Sequence, residues 1–173
     1  MIFKIDKDDA INRASKIKLV CVDCDGTMTD GTTTYSINGE ETKSFSHIDG
    51  RGFNLAQKNG FIVGVITSED SQIVKRRSEK LNFDFCVVNS ENKIKSLEEI
   101  IKKFNILPSQ VAFIGDDTND IPIIKYVSLS FGVGNAQPLV LNNVNIICKN
   151  KGGYGAVREA IDFILKSNKL SEI

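Results

Sequence analysis

Two short apolar runs in this sequence each end in a cluster of aspartates, and this pattern limits the possible folds more than any other feature. Residues 19–22 precede Asp23-Cys24-Asp25-Gly26-Thr27, and residues 111–114 precede Gly115-Asp116-Asp117-Thr118-Asn119-Asp120. Short runs rich in β-branched residues are typical of buried parallel strands. In an open α/β sheet, ligands bind in the crevice beyond the carboxyl ends of the strands. The two clusters therefore predict a shared site, and their carboxylates favour a hard cation such as Mg²⁺.

Further strand-like runs alternate with helical patterns along the 173 residues. Strands are predicted at 19–22, 61–66, 85–88, 111–114, 129–133 and 144–148, and helices at 8–15, 52–58, 71–81, 93–104, 120–126 and 156–166. This alternation predicts an α/β, Rossmann-like fold with a mostly parallel central sheet and helices on both faces. Residues 1–173 are expected to form a single domain, because this length suits one substantial core.

One segment interrupts the alternation. Residues 32–37 and 40–45 resemble two strands, and Asn38-Gly39 lies between them. Asn-Gly between such runs is typical of a β-hairpin with a tight turn. We therefore expect a protruding flap at about residues 32–46. The flap and one helix fill the space between Thr27 and Thr67, so no cap domain is predicted.

Composition disfavours several functional classes. The chain has 22 basic and 22 acidic residues, and no basic block indicates a nucleic-acid partner. No apolar stretch is long enough for a membrane span, and the N-terminus does not resemble a signal peptide, so a cytoplasmic location is predicted. The four cysteines lack zinc-site spacing and are expected to be reduced. Cys24 lies between two aspartates, but we favour core packing over a redox switch.

The first acidic cluster has a geometry suited to chemistry. Residues i and i+2 of an extended strand point the same way, so Asp23 and Asp25 would present two carboxylates side by side. Asp116 would approach from the neighbouring strand. Helix caps and turns could account for any one aspartate, but they explain five aspartates at two strand ends poorly.

These residues form a pattern with others along the chain. Asp23-x-Asp25-Gly26-Thr27, Thr67, Lys93 and Gly115-Asp116-Asp117-x-x-Asp120 resemble, in order, the four motifs of the haloacid dehalogenase superfamily of phosphohydrolases. The resemblance implies that Asp23 is the nucleophile and Asp25 the general acid and base. It implies a Mg²⁺ site made by Asp23, the backbone carbonyl of Asp25, and Asp116. It further implies a set of phosphate-binding residues, Thr67, Ser68 and Lys93, and two residues that orient metal waters and Lys93, namely Asp117 and Asp120.

A finer similarity is to the 3-deoxy-D-manno-octulosonate 8-phosphate phosphatases and to their relatives acting on nine-carbon sialic-type acids. It is carried by Asp25-Gly26-Thr27-Met28-Thr29-Asp30-Gly31, a predicted turn at Asp49-Gly50-Arg51-Gly52, and residues 66–69, 74–77 and 152–159. The eight-carbon enzymes typically have Thr-Gly-Arg where this chain has Thr67-Ser68-Glu69. Glu69 together with Lys80 resembles the nine-carbon branch, which puts a nonulosonate 9-phosphate slightly ahead. The substrate-binding candidates are Asp49, Arg51, Glu69, Arg77 and Lys80.

A capless member of this superfamily has an open active site. The family precedent is a tetramer, so the resemblance implies a homotetramer in which a neighbouring subunit closes the site. Two other functions stay open: a broad-specificity phosphatase of small phosphates, and a non-catalytic partner of a sugar-acid cytidylyltransferase. A receiver-like phosphate switch is disfavoured, because Asp25 would make an acyl phosphate short-lived. His47 is interpreted as a residue of the flap base, and Arg158 as either a substrate contact or a partner of nearby acids.

Overall fold

The computed structural model describes residues 1–37 and 41–170, and its main feature is a seven-stranded sheet. The strands are β1 Ile2–Phe3, β2 Leu19–Val22, β3 Thr34–Tyr35, β4 Glu41–Thr42, β5 Ile62–Ile66, β6 Phe85–Val87, β7 Val111–Gly115, β8 Leu129–Gly132 and β9 Ile146–Ile147. The helices are α1 Lys7–Ala14, α2 His47–Lys58, α3 Gln72–Lys80, α4 Lys93–Phe104, α5 Ile121–Tyr126, α6 Pro138–Asn143 and α7 Ala156–Ser167. Short 3-10 turns lie at Pro108–Gln110 and Thr118–Asp120.

The sheet order places the two acidic clusters side by side. The strands run β1-β9-β8-β7-β2-β5-β6, and β1 is antiparallel to its neighbour while the other pairs are parallel. In the register, Cys21 of β2 lies between Gly64 of β5 and Phe113 of β7. The carboxyl ends of β2, β5 and β7 therefore meet at one edge. The α/β architecture predicted from the sequence is confirmed.

The helices pack in two groups around this sheet. Helix α7 contacts α1 and α2, whereas α5 contacts α4 and α6. Every residue of β2 and β7 is buried, as expected for strands covered on both faces. Among the described helices, none combines the length and apolar character needed to cross a bilayer.

Helix α2 begins earlier than predicted and corrects one interpretation. The expected turn at Asp49-Gly50-Arg51-Gly52 is helical, because Ser46 caps α2 by accepting hydrogen bonds from the amides of Ile48 and Asp49. The glycines serve close packing. A Cβ on Gly50 would lie 2.9 Å from the Arg77 guanidinium, and one on Gly52 would lie 3.0 Å from the Arg158 side chain.

The predicted flap is present as a short hairpin. Strands β3 and β4 pair antiparallel within the expected range, although both arms are shorter than predicted. The expected turn residues Asn38 and Gly39 lie outside the described residues. Elsewhere, β1 and α6 were not predicted, and the strand expected at 144–148 is reduced to Ile146–Ile147.

Candidate active site

The loop after β2 brings the two acidic clusters into contact. The Asp23 amide donates to the Ile114 carbonyl at 2.9 Å, which extends the pairing of β2 with β7 by one residue. The chain then turns sharply, and Gly26 adopts a φ of +85°, a conformation that favours glycine. A Cβ on Gly26 would lie 2.0 Å from an Asp116 carboxylate oxygen. This close approach lets Asp116 lie beside the first cluster.

Three carboxylates meet at this edge of the sheet. Oxygens of Asp23, Asp116 and Asp120 lie within 4.8 Å of one another. Burial raises the pKa of Asp23, and the charge of Asp120 raises it further. Burial, helped by Asp120, also raises the pKa of Asp116 to about 6. Buried oxygen donors whose charges repel one another fit a hard divalent cation such as Mg²⁺.

Asp120 supports this cluster from behind. The side chain is fully buried, and one oxygen accepts from Lys93 Nζ at 2.6 Å. The other oxygen accepts from the amides of Asp116 and Asp117, at 3.0 Å and 3.4 Å. Since both of its oxygens are engaged, Asp120 orients its neighbours, and Asp23 and Asp116 are better placed to hold a cation. The contribution of the Asp25 carbonyl stays a prediction.

Lys93 is a buried cation beside the three carboxylates. It is the first residue of α4, whose N-terminus is capped by the Asn92 side chain. Its Nζ lies 2.5 Å from Asp23 Oδ1, and the side chain is 3% exposed. Burial by itself would lower the pKa of Lys93, but the charges of Asp23 and Asp120 outweigh burial and raise it. Lys93 therefore keeps a positive charge next to the predicted nucleophile.

The loop after β5 lies at the same edge. Thr67 is buried, and its amide donates to the Val87 carbonyl at 2.9 Å. Ser68 is exposed, and its hydroxyl accepts from the Asn119 side chain of the β7 loop at 3.3 Å. The structure thus brings Thr67 and Ser68, two of the three predicted phosphate-binding residues, to the same edge of the sheet as the acidic clusters and Lys93, the third. Asp117, in contrast, is exposed and binds the Thr118 amide, so the described contacts do not link it to Lys93.

The structure places one further charged residue in the site that the sequence did not reveal. Lys43 follows β4 of the flap, and its Nζ lies 2.6 Å from Asp25 Oδ1 and 3.1 Å from Glu69 Oε2. The Lys43 side chain is 0% exposed. A lysine in a hairpin is ordinarily solvated, so no local pattern marks this one, and its role depends on how the flap folds back.

Two of the five substrate-binding candidates have structural partners instead. Asp49 is 2% exposed, and its two oxygens accept from the amides of Gly155 and Arg158 at the start of α7. Both oxygens of this carboxylate therefore have partners within the chain, and a contact of Asp49 with the substrate stays a prediction. Arg77 donates to the Ser46 carbonyl at 3.2 Å and lies over the Phe45 ring. Arg77 therefore holds the stem of the flap.

The other candidates differ in position. Glu69 is exposed at the edge of the site. Lys80 is exposed and ends α3, about 12 Å of helix axis beyond the first residue of that helix. Arg51 is exposed on α2. His47 begins α2 at the flap base, and Arg158 pairs with Asp162 at 2.6 Å.

Comparisons with known proteins agree with this geometry. A family model described as haloacid dehalogenase-like hydrolase matches residues 67–161. The 3-deoxy-D-manno-octulosonate 8-phosphate phosphatase of Yersinia pestis is 36% identical over 158 residues, which are 91% of this chain and 84% of the relative. The enzyme of that name from Escherichia coli strain K12 is 34% identical over 165 residues, or 95% of this chain and 88% of the relative.

Solved structures of such phosphatases are also similar to this chain. The crystal structure of the Yersinia pestis enzyme matches with a TM-score of 0.92 at 35% identity, covering 94% of this chain and 88% of that one. The structure of the Moraxella catarrhalis 3-deoxy-D-manno-octulosonate 8-phosphate phosphatase, with magnesium, phosphate and KDO bound, also has a TM-score of 0.92. It is 32% identical and covers 95% of this chain and 94% of that one.

Proposed function

Because this chain belongs to the haloacid dehalogenase-like hydrolases and, within them, to the family of the 3-deoxy-D-manno-octulosonate 8-phosphate phosphatases, we propose that it is a Mg²⁺-dependent phosphatase of a 2-keto-3-deoxy sugar acid phosphate. One observation carries the proposal. Asp23, the predicted nucleophile, lies buried between Lys93 and the Asp116 carboxylate, beside the predicted proton donor Asp25. These are the groups that phosphoryl transfer through an aspartyl phosphate requires.

The first step transfers the phosphoryl group to Asp23. An Asp23 oxygen forms a bond to phosphorus while the bond from phosphorus to the sugar oxygen breaks. The electron pair of that bond stays with the sugar oxygen, which takes a proton from Asp25 and leaves as an alcohol. Lys93 fixes the Asp23 carboxylate through its other oxygen and places a positive charge beside the reacting group.

The second step releases phosphate. Asp25, now ionised, accepts a proton from a water whose oxygen attacks phosphorus, and the Asp23 carboxylate departs. Thr67 and Ser68 lie where they could donate to phosphate oxygens. Mg²⁺, held by Asp23, Asp116 and the Asp25 carbonyl, would neutralise the charge of the phosphate when bound. Asp120 keeps Lys93 and the Asp116 backbone in place.

The relatives change the order of the two candidate sugars. The sequence placed a nonulosonate 9-phosphate slightly ahead, through Glu69 and Lys80. The relatives described above carry the name of the eight-carbon substrate. We therefore propose octulosonate 8-phosphate as the preferred substrate, with the nine-carbon acids second.

We also propose the assembly and the location. Residues 1–173 would act as one domain without a cap, in a homotetramer whose neighbouring subunit closes the open site. Arg51 and Lys80 both lie on the protein surface, where we expect them to contact a substrate bound across subunits. Free thiols at all four described cysteines suit the reducing cytoplasm.

A substrate panel tests the proposed function. Steady-state kinetics with Mg²⁺ would compare octulosonate 8-phosphate, nonulosonate 9-phosphates and hexose phosphates. We expect kcat/KM for octulosonate 8-phosphate to exceed the others by tenfold or more, which corresponds to about 1.4 kcal/mol in transition-state binding. Even, slow rates would indicate a broad-specificity phosphatase. A folded, Mg²⁺-binding protein without turnover would indicate the non-catalytic partner.

A further inference from the structure

The two oxygens of the Asp25 carboxylate have different surroundings. Oδ1 accepts a hydrogen bond from Lys43 Nζ at 2.6 Å. Oδ2 is buried and has no hydrogen-bond partner among the described residues. An ammonium group can only donate, so the oxygen that it contacts must act as an acceptor. Among the described residues, Lys43 is therefore the side chain that holds the Asp25 carboxylate.

This difference has a chemical consequence for leaving-group departure. A general acid must present its proton within hydrogen-bond reach of the oxygen that departs. A carboxyl group free to rotate would present either oxygen. Because Lys43 holds Oδ1, it restricts this rotation and keeps the Asp25 carboxyl group in one orientation toward a bound substrate.

We propose that Lys43 is a positioning residue of the flap, which holds the Asp25 carboxyl group in the orientation from which it donates a proton to the leaving oxygen. The inference rests on the proposed function. Glu69 is the second anchor, since it accepts from the same Nζ at 3.1 Å. Glu69 then acts through Lys43, besides any contact it makes with the substrate.

The surrounding structure is built to hold Lys43 in place. The side chain is 0% exposed, although its two partners are 27% and 55% exposed. Two residues further along the chain, Phe45 stacks under the Arg77 guanidinium at 5.2 Å, and Arg77 also binds the Ser46 carbonyl. The flap strand is thus fixed to α3 immediately after Lys43. Flap position and proton-donor orientation are coupled through this one side chain.

The test compares two substrates with different leaving groups. A sugar phosphate releases an alkoxide that needs a proton, whereas p-nitrophenyl phosphate releases an anion that departs without one. We expect Lys43→Met to lower kcat for octulosonate 8-phosphate by about 100-fold, with KM changed less than about threefold. The kcat/KM for p-nitrophenyl phosphate, which reports only the steps up to release of the leaving group, should change less than about threefold. Lys43→Arg, which also donates to a carboxylate, should recover most of the sugar-phosphate rate.

Controls separate this inference from a general loss of structure. Lys58→Met changes an exposed lysine of α2 and should leave both rates unchanged. Glu69→Ala, at an exposed position, should weaken the sugar-phosphate rate in the same sense but less, which keeps the test available if Lys43→Met does not fold. Inhibition by inorganic phosphate should be equal in the wild type and Lys43→Met.

Three results would overturn the inference. If Lys43→Met lowers kcat/KM equally for both substrates, the role of Lys43 is structural. If KM rises while kcat is unchanged, Lys43 binds the substrate. If Lys43→Met keeps the wild-type rates, Lys43 has no role in the reaction. Failure of the proposed function looks different, because the wild-type protein itself would then show no preference for octulosonate 8-phosphate over other phosphates.

Discussion

Lys93 is the residue on which the charge balance of the site depends. Three carboxylates approach one another within 4.8 Å, and Lys93 contacts two of them. Buried ion pairs contribute little net stability when complete, but removal of one partner is costly because the other charge stays buried. With one cation and three carboxylates, the site has an excess of negative charge that a divalent cation would balance. Lys93 and the metal are therefore complementary rather than interchangeable.

Replacement of Lys93 by Met should damage both stability and activity. The methionine fills a similar volume but leaves Asp23 and Asp120 without their buried partner, so the free energy of unfolding should fall by about 3–5 kcal/mol. Turnover of octulosonate 8-phosphate should fall at least about 100-fold, because a charge aimed at the reacting group is lost. Urea unfolding and steady-state kinetics measure the two effects. Lys95→Met, at an exposed position of the same helix, is the control, and equal behaviour of the two variants would contradict this role.

Among the helices and strands, features set by the local sequence could be predicted, whereas features set by tertiary contacts could not. Helix α4 was predicted with its correct bounds, since its apolar stripe and its Asn92 cap are both local features. The start of α2 was missed because Gly50 and Gly52 resemble turn residues, and only the arginines packed against them explain the glycines. The place of Lys43 was missed for the same kind of reason. Its partners are 18 and 26 residues away in sequence.

The flap stem gives a prediction at this scale. Arg77→Ala removes the hydrogen bond to the Ser46 carbonyl and the stacking on Phe45. The free energy of unfolding should therefore fall by about 1–2 kcal/mol. The loosened flap should also lower kcat for the sugar phosphate, through Lys43. Thermal unfolding and kinetics should show neither effect for Arg76→Ala, at the exposed neighbouring position. A raised KM in Arg77→Ala with unchanged stability would restore our first expectation, that Arg77 contacts the substrate.

The whole molecule brings the site together through its strand order. Site residues as far apart in the sequence as Asp23 and Asp120 meet because β2 lies between β5 and β7 in the sheet. The motif residues could be predicted from the sequence, since their chemistry depends on residue type and on strand ends. The flap contacts and the engagement of Asp49 could not, because they depend on how α2, α3 and α7 pack.

The raised pKa of Asp116 predicts a pH dependence of metal stabilisation. In the metal-free protein, a carboxyl group whose pKa is raised to about 6 favours folding below its unfolded pKa and loses that contribution as pH rises through 6. Mg²⁺ binds the ionised carboxylate of Asp116. At low pH the ion must therefore displace the proton of that carboxyl group, whereas at high pH it neutralises a negative charge that is already present. The gain in Tm on adding Mg²⁺ should be larger at about pH 8 than at about pH 5. Equal gains, or a full gain in Asp116→Asn, would contradict this assignment.

We propose that this site transfers a phosphoryl group from a sugar acid phosphate to Asp23. The most direct measurement is mass spectrometry of the protein quenched in acid during turnover of octulosonate 8-phosphate with Mg²⁺. We predict a phosphate adduct on the peptide that contains Asp23, dependent on Mg²⁺ and absent from a folded Asp23→Asn variant that has lost turnover. Turnover without an adduct on that peptide, or full activity of Asp23→Asn, would contradict the account.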